Sequence, residues 1–100
     1  MVLSIEINDL QDVSLILKAL NREFDILTWE ITKITKKLSS FEQKYNIRSE
    51  LFYEKYSAGE MGDDEAIMEW AGEFQMFQKL NTRQKRLEEL QVSCRKILKQ

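Results

Sequence analysis

The chain has no proline and no histidine, a single cysteine, and only three glycines, all between positions 59 and 72. Each shortage excludes something. Without proline, no residue of the chain has a fixed φ that would break a long helix. Without histidine, the commonest general base, metal ligand and pH switch is missing, and zinc has no Cys/His cluster to hold it. Cys94 alone cannot form an internal disulfide, and nothing else points to an oxidising compartment. No apolar run approaches the ~20 residues that cross a bilayer. The opening residues, MVLSIEIND, lack the basic start and apolar core of a secretory signal, so the cytoplasm is the expected location.

What is present is charge and apolar bulk: 32% of residues are charged and 43% hydrophobic. Carried on a helical period, that balance marks long helices or coiled coil. A chain of 100 residues is expected to form one domain spanning 1–100. The strongest pattern runs through Leu10, Val13, Leu17, Leu20, Phe24, Leu27, Ile31, Ile34, Leu38, Phe41 and Tyr45. These residues are alternately three and four apart, an unbroken a/d register of the kind that forms coiled coils. Asp9 is placed to cap this helix, with Asp12 three residues on as an acidic analogue of the capping box. Asn46 tolerates the left-handed conformation in which helices end. The pattern therefore predicts a helix over about 9–45, on the order of 55 Å long at 1.5 Å per residue. Ahead of it, Leu3, Ile5 and Ile7 alternate with polar residues, which suggests a short extended arm over about 1–8.

The same helix carries a second apolar row. Leu15, Ala19, Ile26 and Trp29 fall on c and f positions, opposite the seam. Pairing with one other helix leaves those positions in water, and clustered exposed apolar groups imply a further covering surface.

Beyond Asn46, Ser49 reads as the cap of a short helix over about 48–57, with Phe52 and Tyr56 four apart on one face. The stretch YSAGEMGDDEAIMEWAG follows. Its Gly59 and Gly62 suit a helix stop and a turn with positive φ. Asp63, Asp64 and Glu65 stand where a helix start favours a side-chain cap and negative charge, so they are expected to cap the next helix. The glycines lack phosphate-loop spacing, and the acids are bunched rather than spread as calcium ligands are, so neither a nucleotide nor a metal is expected. A second long helix is predicted over about 64–98. Ile67, Trp70, Phe74 and Phe77 form its seam, and Leu87, Leu90, Cys94 and Ile97 resume it after the polar run NTRQKR (81–86). Packing is expected to be looser or wetter across that run. Cys94 reads as a buried small hydrophobe, and Gly72 as a place where another backbone or ring approaches.

The formal net charge of −2 conceals a gradient. Residues 41–78 hold nine acidic and three basic side chains, while residues 79–100 hold two acidic and seven basic. The basic tail is dispersed round its helix and interrupted by Glu88 and Glu89. It reads as a solvated face that complements the helix dipole, and no nucleic-acid partner is expected.

Two resemblances add to this. Trp70-Ala71-Gly72 resembles the signature of small secreted helical-hairpin effectors named for a Trp-x-Gly motif, although in that family the motif lies in the bend. A broader pattern runs through Phe41, Lys44, Tyr45 and Asn46, then Phe52 and Tyr56, then Gly59, Glu60, Met61, Asp63 and Asp64, then Glu69 and Trp70. It resembles a family of small prokaryotic helical proteins, commonly encoded beside a small toxin and regarded as antitoxin-like. The likeness covers about thirty residues, with Asn46 where the family has glycine, and it implies an interaction protein without catalytic residues.

These readings predict an all-α fold, an antiparallel helical hairpin of two long helices with a short helix between them. A lone hairpin of this size has a thin core. Two hairpins packed through the second row would make a dimeric four-helix bundle and cover Ile26 and Trp29. The expected function is a non-enzymatic interaction module, an antitoxin-like partner that neutralises a neighbouring-gene toxin. Candidate anchors are Leu15, Ile26, Trp29, Phe52, Tyr53, Tyr56 and Trp70, because aromatic residues on rigid helices supply hot spots. The same residues could instead form a homodimer core. A secreted effector and a purely structural oligomer are the alternatives.

Overall fold

The computed structural model describes residues 9–99. They form α1 (Leu10–Tyr45), α2 (Ser49–Ser57) and α3 (Glu65–Leu98), with no strand among the described residues. The arm expected over 1–8 lies outside them. Three side-chain pairs fix the direction of packing: Asn21 with Gln91, Thr28 with Gln84, and Lys37 with Glu73. As numbering rises along α1 it falls along α3, so the two long helices are antiparallel.

The ends of α1 follow from its sequence. The Asp9 carboxylate accepts from the Gln11 backbone N–H at 2.9 Å. At the far end Asn46 takes φ 53°, and the backbone N–H groups of Asn46 and Ile47 both reach the Glu42 carbonyl. The expected seam is the packed face. Val13, Leu27, Ile34 and Leu38 are buried, Leu20, Phe24, Ile31 and Phe41 pack partly buried against the core, and only the terminal Leu10 and Tyr45 lie open.

In α3 the seam holds at Ile67, Trp70 and Phe74 and then departs from the predicted residues. Leu80, Leu87 and Gln91 are buried, with Cys94 and Leu98 half-buried, whereas Leu90 and Ile97 are exposed. The physical reason is a change of step. Phe74, Phe77 and Leu80 are three apart twice in succession, a stammer that shifts the inward line of the helix. The inward line then passes through Gln91 rather than Leu90. Wetter packing was expected across 81–86, and the seam there is indeed polar: Gln84 is half-buried and donates its Nε2–H to Thr28 Oγ1 at 2.7 Å. Two turns onward, the buried Gln91 donates to Asn21 Oδ1 at 2.8 Å.

The bend is aromatic. Trp70 is fully buried, and Phe52 stacks on its indole with centroids 3.7 Å apart and planes 5° from parallel. Phe41 and Tyr45 stack on it from α1, each at 5.4 Å. Tyr56, Tyr53, Phe74 and Phe77 continue the cluster ring to ring. Eight of the ten aromatic residues thus join at one end of the hairpin. Stacked pairs of this kind contribute about 0.5–1.5 kcal/mol each beyond simple burial, so this end is the rigid one.

Local details of the bend correct three expectations. Ser49 does not cap α2 with its side chain; its buried hydroxyl accepts from Trp70 Nε1–H at 3.0 Å. The α2 start is satisfied from α1, because the Ser49 backbone N–H donates to Glu42 Oε2 at 2.8 Å. That carboxylate meets the positive end of the helix dipole. Asp64 occupies the cap position of α3, but its side chain makes no capping hydrogen bond. Gly72 is exposed, and a Cβ there would have no neighbour within 4 Å, so no backbone or ring approaches it. Gly59 is used as expected. It takes φ 77°, with Gly59 N–H bonded to the Tyr56 carbonyl and Glu60 N–H to the Lys55 carbonyl, a complete Schellman stop for α2.

Candidate functional site

The outer face of α1 is built by the same heptad that fills the core. Because seam residues point at α3, the c and f positions must point away from it. Leu15 is 68% exposed, Ile26 45% and Trp29 63%, with Ala19 open between them. From Leu15 to Trp29 the row is about 21 Å long at 1.5 Å rise per residue. Lys33, one turn beyond Trp29, lays its ammonium 4.2 Å from the ring centroid. Such a contact orients the indole and contributes on the order of 0.5–1 kcal/mol when exposed. Charge brackets the row. Asp12 lies at the N-terminal end, Arg22 in the middle, and Lys33 and Lys36 at the C-terminal end, all exposed.

The candidate anchors divide into three groups. Leu15, Ile26 and Trp29 share the outer face of α1. Tyr53 and Tyr56 are half-buried at the edge of α2, where Tyr53 stacks on Phe74 and its hydroxyl accepts from Gln75 Nε2 at 2.7 Å. Phe52 and Trp70 are both fully buried inside the hairpin. Those two are core residues of this chain and offer no surface to a partner. The reason is the short helix: α2 folds its apolar side down onto α3 and closes over Trp70. For the Trp-x-Gly triplet the consequence is a split, since Trp70 points inward and Gly72 outward.

Three surface features escaped the sequence reading. Leu51 on α2 and Met68 and Met76 on α3 are exposed. Met76 lines a shallow groove between α1 and α3 with Glu30, Lys33 and Lys37, next to Trp29. The Trp29–Lys33 contact had a signal, an aromatic and a cation four apart on a helix. The groove had none, because it depends on how the helices are rotated against each other.

Among the described residues, no group of three or more Cys, Asp or Glu side chains is arranged to hold a metal ion, and no helix is long and apolar enough to cross a membrane. The fold and this surface define an all-α helical hairpin with a surplus apolar helix face. Comparison with protein families, with curated proteins and with solved structures finds no match.

Proposed function

We propose that this chain is a non-enzymatic protein–protein interaction module whose working surface is the outer face of α1. One observation carries the reading: α1 already has its seam filled by α3, yet it keeps Leu15, Ile26 and Trp29 in water along a second line. Large apolar side chains aligned in this way are the usual mark of a docking face, and a rigid helix with an exposed tryptophan is hot-spot material. Self-association through this face would bury it between two copies of α1 and thicken the thin hairpin. The residues shared with antitoxin-like proteins, from Phe41 to Trp70, give the module a biological setting in which it binds and neutralises a small toxin encoded beside it. Recognition would follow the helix-face mode, with Leu15, Ala19, Ile26 and Trp29 at i, i+4, i+11 and i+14 as the reading frame.

The test is co-expression with the product of the adjacent gene. The two proteins are expected to co-purify, and this chain is expected to relieve any growth arrest the other causes. Trp29→Asp should weaken both effects while leaving the circular dichroism spectrum unchanged. Absence of co-purification and of protection with the unaltered chain would refute the antitoxin-like reading.

A further inference from the structure

We infer that, when no other partner is bound, the outer α1 face is occupied by a second copy of this chain, with its own α1 lying antiparallel across the first. This rests on the reading of that face as a docking surface and adds the partner and its orientation. The face is acidic at its start (Asp12), apolar along its middle (Leu15, Ala19, Ile26, Trp29) around the single Arg22, and basic at its end (Lys33, Lys36). A partner that fits must be basic opposite Asp12, apolar in the middle and acidic opposite Lys36. The same face, reversed, supplies Lys36 opposite Asp12 and Asp12 opposite Lys36, with Ala19 against Trp29 at the middle.

The spacing agrees. When two copies of α1 cross antiparallel about the level of Phe24, Asp12 of each copy falls opposite Lys36 of the other. In the same register Trp29, the largest side chain of the row, falls opposite Ala19, the smallest. Arg22 falls opposite Ile26 and Lys33 opposite Leu15, and each can lay its aliphatic stem over the apolar side chain it meets. Reversal also sets the two helix dipoles against each other favourably, whereas parallel pairing would bring Asp12 against Asp12. The hairpin already uses this rule internally, since Lys37 near the C-terminal end of α1 pairs with Glu73 in the N-terminal part of α3 at 3.2 Å. The contact is isologous, so each ion pair occurs twice.

Sedimentation equilibrium of the full chain tests this, with a protomer of 11.9 kDa. The unaltered chain is expected to show a concentration-dependent monomer–dimer equilibrium. Trp29→Asp removes a hot-spot anchor from each copy and should weaken the dimer at least about 100-fold. Asp12→Lys turns two attractions into repulsions and should weaken it about tenfold. Adding Lys36→Asp to Asp12→Lys restores complementarity and should return the constant to within about threefold of the original. A chain that stays monomeric at the highest concentrations overturns the proposal, as does an unchanged dimer with Trp29→Asp or a charge exchange that fails to recover. A monomer that still binds and neutralises its neighbour's product would refute this dimer and leave the interaction-module reading standing. A dimer that binds no such product would do the reverse.

Discussion

Ser49 and Trp70 form a hydrogen bond that can be tested by a double-mutant cycle. Both are buried, at 1% and 0% exposure, and the indole Nε1–H donates to the Ser49 hydroxyl at 3.0 Å. Ser49→Ala removes the acceptor and strands the indole N–H out of water, which costs about 1–3 kcal/mol. Trp70→Phe removes the donor and part of a ring stacked on Phe52, with an expected loss of about 2–3 kcal/mol from the cavity and the lost hydrogen bond together. In the Trp70→Phe background there is no N–H left to strand, so Ser49→Ala should then cost less than about 0.5 kcal/mol. The coupling is therefore about 1–2 kcal/mol. A domain of this size has a total stability of about 5–15 kcal/mol, so all four proteins should fold. Urea unfolding followed by far-ultraviolet circular dichroism would read the cycle, provided the denaturant slope stays constant. By melting, Ser49→Ala alone should lower Tm by about 4–8 °C for each kcal/mol lost. Additivity of the two substitutions to within about 0.3 kcal/mol would refute the account of the bend as a hydrogen-bonded aromatic lock.

Other consequences are as specific. Gly72→Ala should stabilise the chain by about 0.5–1 kcal/mol, because the position is helical, open and free of neighbours. Gly59→Ala should destabilise it by about 1–2 kcal/mol, because φ 77° suits glycine alone; equal signs for the two in chemical denaturation would contradict the geometry. Gln91→Leu should be neutral or stabilising by up to about 1 kcal/mol, since the exposed Asn21 can turn to water while a buried amide is replaced by apolar volume. A loss above about 1 kcal/mol on melting would mean that the polar seam is structurally required. Trp29→Asp, measured where the chain is monomeric, should cost no more than about 1 kcal/mol, because the side chain is 63% exposed and loses mainly its contact with Lys33.

Much of the fold was legible because α1 states its pattern redundantly. A residue misplaced by one in that heptad would turn a leucine or isoleucine to water, so the seam and both helix ends followed from Asp9, the a/d row and Asn46. The outer row was legible for the same reason, as the complement of the seam. Two parts were not. The fate of Phe52 depended on α2 folding back onto α3, a packing decision that spacing along one helix does not reveal. The second half of α3 misled because apolarity favours Leu90 and Ile97, whereas the helix turns Gln91 and Leu98 inward after its stammer. Asn21 waits across the hairpin as the partner that makes a buried glutamine tolerable.

The sequence by itself determined that this protein is helical, where its first helix begins and ends, and where the glycine-bearing bend lies. Those are properties of local backbone preference and of periodicity, which neighbouring residues settle among themselves. Only the tertiary structure decided which aromatics are core and which are surface, and which polar groups cross the seam. Those outcomes depend on the rotation and depth of one helix against another, fixed jointly by residues tens of positions apart. Phe52 and Tyr56 show the difference: they lie four apart on one face of α2, yet Phe52 is fully buried against Trp70 while Tyr56 is half-buried at the edge.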